Sequence, residues 1–269
     1  MSEGKKEILL GDCLELMKDI PNGSVDMILC DLPYGTTACK WDTIIPFEPL
    51  WKQYERIIKP NGAIVLTATE PFTSYLLLSN INLYKHKRVW IKSKCPNFLQ
   101  AANQPRKLHE DILVFSKGSY GYQSLIKSTY NPIKENVVNN SINNKGANIS
   151  KTMKRLAGNM NVVLKSSDDY NDQENYPDDI DFFDNEKIKE HPTQKPIALF
   201  EYLIKTYTNE NDLVLDNTAG SGTTAIACLK TNRQFIVMEK DPNYFEKIKK
   251  RVGDFNKNFE PQNLFGNGM

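Results

Sequence analysis

Short apolar runs alternate with stretches of helical periodicity through the first third of the chain. Runs at 8–10, 25–30 and 63–68 have the length and composition of buried strands, whereas 14–20 and 46–58 carry the spacing of helices that bury one face. Strand, helix, strand in this rhythm predicts a mostly parallel sheet, because a parallel partner needs a connection long enough to return to the same end of the sheet. Two further runs, 89–91 and 111–116, are too close together for such a crossover and predict an antiparallel edge.

From 118 to about 176 the pattern breaks down. Apolar anchors thin out, as in Asn139, Asn140, Ser141, Ile142, Asn143 and Asn144. Such a stretch is either a flexible loop or a recognition region that orders on a partner. The rhythm returns at His191, with helices expected at 197–206, 223–229 and 242–252 and strands at 213–215 and 235–238. No internal repeat is visible. The expected architecture is a doubly wound α/β domain formed by 1–117 and 186–269, with 118–185 inserted.

Composition changes this picture little. In 269 residues, 40% are hydrophobic and 25% charged, which excludes disordered and fibrous classes. A net charge of +1 is silent about partners, so local charge has to speak. Lys85, His86, Lys87, Arg88, Lys92 and Lys94 form a basic stretch, continued by Arg106 and Lys107, while 168–190 is densely acidic. Cys13, Cys30, Cys39, Cys95 and Cys228 show no paired spacing, and His86, His109 and His191 lie far apart, so no metal site is expected. Scattered thiols suit a reducing compartment. With a polar start and no apolar run of membrane-spanning length, a cytoplasmic protein that does not engage membranes is expected.

The chemistry concentrates at two places. Leu213 to Leu215 reads as a strand, followed by Asp216, Asn217, Thr218, Ala219, Gly220, Ser221, Gly222 and Thr223: a carboxylate, a glycine turn and a helix start. Glycines permit unusual φ/ψ and a close ligand approach. The next strand ends in Glu239, whose carboxylate suits a ribose diol. The spacing Gly220, Gly222, Ala225 also satisfies the nicotinamide fingerprint. Against NAD, Asp216 and three residues separate the strand from the glycines, and no lysine follows them as a phosphate loop requires. An acid before the turn suits the ammonium of a methionine moiety, which favours S-adenosylmethionine.

The second place is Asp31, Leu32, Pro33 and Tyr34, after the strand at 25–30. Here a carboxylate, a backbone carbonyl and an aromatic plate fall within four residues. The carboxylate and the Leu32 carbonyl could accept both hydrogens of an exocyclic amine while Tyr34 stacks on the base, so that catalysis would rest on positioning and electrostatics.

Together with His191, Pro192, Thr193, Gln194, Lys195 and Pro196, these motifs resemble the permuted beta group of DNA amino-methyltransferases, in which the catalytic tetrapeptide precedes the recognition segment and the cofactor motif comes last. The likeness runs from 8 to 251 and leaves 118–176 unmatched. It implies a Rossmann-like S-adenosylmethionine-dependent fold with Asp31, Leu32, Pro33 and Tyr34 as the catalytic tetrapeptide. It assigns the cofactor to Asp12, Cys13, Asp31, Thr193, Gln194, Lys195, Asp216, Ala219, Gly220, Ser221, Gly222, Thr223 and Glu239. The family usually has proline where this chain has Leu32, but the contact there is made by a main-chain carbonyl. Asp at the first position is the family's usual sign of N6-adenine; N4-cytosine is the alternative, followed by adenine in RNA.

An amine paired inside a duplex must be extruded first. Arg88, Lys92, Lys94, Arg106, Lys107 and His109, interleaved with Trp90 and Phe98, are the candidates for gripping phosphates. Base readout falls to the 118–185 insertion. Double-stranded DNA is the implied partner, single-stranded DNA an alternative one; a homodimer and a restriction endonuclease are the further partners considered. An oxidoreductase and a non-catalytic DNA-binding subunit are the readings from other classes. Cytosine-C5 chemistry lacks a suitable cysteine nucleophile.

Overall fold

The computed structural model describes residues 5–36, 42–93, 101–121, 124–133, 176–186 and 194–259. Eight strands form one sheet in the order β1-β8-β7-β2-β3-β5-β4-β6. They are β1 (Lys6–Leu10), β2 (Val25–Asp31), β3 (Ile58–Ala68), β4 (Tyr84–Lys92), β5 (His109–Ser116), β6 (Ile180–Phe183), β7 (Leu213–Asp216) and β8 (Gln234–Glu239). The helices are α1 (Cys13–Leu16), α2 (Phe47–Ile57), α3 (Phe72–Ser79), α4 (Ile197–Tyr207), α5 (Thr223–Lys230) and α6 (Pro242–Phe259). Among the described strands only β5 runs against its neighbours.

Why the sheet is covered on both faces can be read from β2. Its residues alternate between two cores, as the two-residue period of a strand demands. Ile28 and Cys30 pack with Leu50, Trp51, Tyr54 and Phe72 of α2 and α3. Met27 and Leu29 pack with Leu199, Phe200 and Leu203 of α4, Ala225 and Cys228 of α5 and Ile248 of α6. A strand buried on both faces needs no polar alternation, which explains its unbroken apolar run. Each fully buried side chain of this size stabilises the fold by about 1.5–3 kcal/mol.

The anticipated α/β architecture is therefore present, with one difference. The antiparallel pair of β4 and β5 is found, but β4 is not the rim, because β6 pairs with it in parallel. Asp181 of β6 is buried and holds the Arg88 guanidinium through two bonds of 2.8 and 2.6 Å. Tyr202 supplies a third contact at 2.9 Å, and the Trp90 indole donates to the Phe183 carbonyl. The other end of the 118–185 segment also rests on the main body, through Thr129 to Asn61 and Asn131 to Thr206 backbone bonds. Residues 134–175, where most of the expected recognition region falls, lie outside the described residues.

Candidate active site

Strand order reverses direction between β7 and β2: α2 leads from β2 outward to β3, and α5 leads from β7 outward to β8. In open α/β sheets the crevice beyond the strand ends at such a switch point is where ligands bind. Four adjacent strands deliver Asp12, Glu239, Asp216 and Asp31 to this crevice, and all four line one cavity. Leu32, Pro33 and Tyr34 line it too, with Ala219, Gly220, Ser221 and Thr223 of the glycine turn. The two distant motifs touch directly, since the Thr218 hydroxyl donates to the Asp31 carbonyl at 3.1 Å.

The cradle side is rich in acids. Asp12, Asp31, Asp42, Asp216, Glu239 and Asp241 line the cavity against two lysines, Lys195 and Lys240. Such a lining repels a pyrophosphate and attracts a cation. The backbone points the same way, because the Gly220 amide donates to Glu239 Oε2 at 2.8 Å and is engaged within the protein. A ligand with an ammonium, a sulfonium and a ribose fits this set of acceptors; a dinucleotide does not. Asp216 accepts from the Thr218 amide at 3.0 Å and from the Thr224 hydroxyl. Burial nevertheless pushes its carboxyl up to about 7. Burial also raises Glu239, whose second oxygen accepts from the Asp241 amide at 2.9 Å.

On the acceptor side, Asp31 Oδ1 receives the Tyr34 hydroxyl and the Thr67 hydroxyl, each at 2.6 Å. Oδ2 receives the Lys195 ammonium at 2.6 Å. Tyr34 is held neutral: burial, then the carboxylates of Asp31 and Glu110, raise its pKa well above the usual phenol value. One face of its ring is stacked on Phe72, with centroids 5.1 Å apart. Leu32 is buried in the core on the α1–α3 face, so packing fixes the turn where the family's proline would stiffen it.

Comparison with known proteins decides the family: the model of the N6/N4 DNA methylase family matches residues 25–250. The chain belongs to that family. As a member it is a DNA methyltransferase. Among curated relatives, the DNA adenine methyltransferase YhdJ of Escherichia coli (strain K12) is 28% identical over 262 residues, covering 90% of this chain and 80% of its own. The solved M1.HpyAVI–SAM complex aligns with 91% of this chain and 98% of its own at TM-score 0.57 and 24% identity. The cytosine-N4-specific PvuII DNA methyltransferase aligns with 97% and 88% at TM-score 0.63 and 17% identity. Both structures share the fold.

Within this DNA methylase, most of the residues expected from sequence meet in one crevice, but several do other work there. Asp12 lines the cavity and also caps α1, accepting the Leu14 amide at 2.9 Å. Cys13 is a buried thiol on the same wall, its pKa raised by burial. Gln194 is buried against the Ser221 hydroxyl at 3.2 Å. Thr193 lies outside the described residues. Gly222 requires correction, for it does not line the cavity. It adopts φ +80°, and a Cβ there would stand 2.9 Å from Ile248 Cγ2, so its role is to turn the chain and seat α6.

The phosphate-gripping set divides. Arg88 is buried and bound to Asp181, which removes it from any phosphate. Lys92 is likewise mostly buried in an ion pair with Glu110. Arg106 and Lys107 are exposed just before β5 and His109 is exposed at its first position, and Lys94 lies outside the described residues. Sequence reasoning assigned no role to Thr67, Glu110 or Thr218. Thr67 sits at the end of β3, level with Asp31 in the pairing, and that register is the one signal that could have identified it. Among the described residues no group of acids, histidines and cysteines could hold a metal ion, and no helix is long and apolar enough to cross a membrane.

Proposed function

We propose that this DNA methylase transfers a methyl group from S-adenosylmethionine to N6 of an adenine turned out of duplex DNA. The observation that carries this reading is the placement of Asp31 and Leu32 in the same crevice as the acid-lined glycine turn, tied to it by the Thr218 hydroxyl. Asp216, Glu239 and the 219–223 turn would hold the donor, which supplies an electrophilic methyl when bound. Asp31 and the Leu32 carbonyl accept the amine hydrogens and leave the nitrogen lone pair directed at that methyl. As the nitrogen bonds to the methyl carbon, the sulfur–methyl bond would break to leave the neutral thioether of S-adenosylhomocysteine, and Asp31 would take the proton the nitrogen releases and return it to water once the product has left. Tyr34, neutral and donating to Asp31, lines the crevice as the aromatic side chain beside the base. Extruding the nucleotide costs a few kcal/mol, which contacts in the crevice offset. Arg106, Lys107 and His109 grip the backbone, and the 118–185 insertion reads the sequence.

Adenine is favoured over cytosine because Asp opens the tetrapeptide and because YhdJ is named for adenine. The experiment is direct. Unmethylated genomic DNA is incubated with the enzyme and donor, then digested to nucleosides and analysed by mass spectrometry. N6-methyladenine is expected, and N4-methylcytosine would overturn the base assignment. Asp31→Ala should abolish turnover while the donor still binds; retained turnover would overturn the role of Asp31.

A further inference from the structure

Behind Asp31 stands a line of three largely buried charges. Lys195, with a side chain only 5% exposed, donates to Asp31 Oδ2 at 2.6 Å and lies 3.2 Å from Glu110 Oε2. Glu110 is paired through its other oxygen with Lys92. The contact from Lys195 to Glu110 has the distance of an ion pair without the angle of a hydrogen bond. Oε2 is thus a buried oxygen with no hydrogen-bonded partner among the described residues. Burial by itself lowers the Lys195 pKa, but Asp31 and Glu110 more than offset this and raise it above the usual lysine value. Burial likewise opposes ionisation of Glu110, and Lys195 and Lys92 overcome it.

We propose that Lys195 and Glu110 are positioning residues for methyl transfer: Glu110 holds Lys195, and Lys195 fixes the one acceptor site of Asp31 left for the target amine. This rests on the role given to Asp31 above. An ionised carboxylate offers about four acceptor sites. Tyr34 and Thr67 take two on Oδ1 and Lys195 takes one on Oδ2, so the site that remains is on the oxygen Lys195 holds. Where the ammonium sits therefore sets where an amine hydrogen can be received, and a misplacement of even 1 Å in such a site costs about a hundredfold in rate.

Charge gives Glu110 a second task. Asp31 and Glu110 balance Lys92 and Lys195, so the buried group is neutral overall. The amine nitrogen gains positive charge as it is methylated. With Glu110 neutralised, an uncompensated ammonium would face that growing charge in a medium that screens poorly.

The test uses the full chain, unmethylated genomic DNA and labelled S-adenosylmethionine, with Asp31→Ala as reference. Lys195→Gln and Glu110→Gln should each lower kcat at least tenfold while KM for the donor stays within threefold. The double variant should be no slower than the worse single one, since both changes break one linkage. A kcat within threefold of wild type in either single variant, a double variant that loses the product of both factors, or a loss confined to the donor KM would overturn the proposal. Should Lys195→Gln fail to fold, as judged by donor-induced thermal stabilisation, the isosteric Glu110→Gln decides alone. Turnover surviving in Asp31→Ala overturns the base-site reading itself; an inactive Asp31→Ala beside fully active Lys195→Gln and Glu110→Gln overturns only this inference.

Discussion

Affinity for S-adenosylmethionine should rise with pH on the acid side, and Asp216 sets the midpoint. Its carboxyl is raised from 3.8 to about 7 by burial, which corresponds to about 4 kcal/mol favouring the neutral form at roughly 1.4 kcal/mol per pH unit. In the unliganded protein this group therefore adds stability at low pH that disappears as the pH climbs from about 4 through about 7. A ligand ammonium reverses the preference, because it favours the ionised carboxylate. Binding should then weaken about five- to tenfold between pH 7.5 and pH 6, as the ionised fraction falls. Above about pH 8 it should weaken again as the ligand's own α-amino group loses its proton. Isothermal titration at half-unit steps measures the curve. Asp216→Asn, which cannot ionise, should bind more weakly and lose the acid limb while keeping the alkaline one. A wild-type affinity flat from pH 6 to 7.5, or an Asp216→Asn curve of the same shape as wild type, would refute the pairing of this carboxylate with the ligand cation.

Other changes separate stability from binding. Gly222→Ala places a Cβ at φ +80° and 2.9 Å from Ile248; backbone strain of about 1–2 kcal/mol and overpacking of about 1–3 kcal/mol should lower Tm by roughly 5–20 °C. Donor affinity measured well below that Tm should be unchanged, and weakened binding with an unaltered melt would show that the glycine serves the ligand after all. Arg88→Ala leaves Asp181 buried and unpaired and should cost about 3–5 kcal/mol in urea denaturation. Arg106→Ala with Lys107→Ala should leave the melt alone, weaken DNA binding, and flatten the salt dependence by about one slope unit per lost phosphate contact. A salt slope equal to wild type would remove both residues from the interface.

Legibility in the sequence followed from how local each feature's cause is. The strands and helices that build both cores announce themselves because burial imposes a period on neighbouring residues, and β2 with its two-faced burial is the plainest case. Helix α3 escaped notice because Phe72–Ser79 is short and apolar on most sides, so no face stands out. Strand β6 was hidden for the opposite reason: its four residues sit in an acid-rich run that looks solvated, yet Asp181 is buried. Its partner Arg88 was misread with it, since a cation on its own resembles a phosphate contact until the anion 93 residues away is placed. The same holds at the reacting centre. Asp31 and Asp216 stand out by their motifs, whereas Glu110 gains meaning only from Lys195, an element away across the sheet.

The hydrogen bond from Thr218 to the Asp31 carbonyl joins residues 187 positions apart. Contacts of such long range cost loop-closure entropy and are intrinsically slow to form. A polypeptide emerging from the ribosome would thus carry its tetrapeptide for most of its synthesis with nothing to react against. Methylation capacity should switch on only when the last third has been made and has docked against the first.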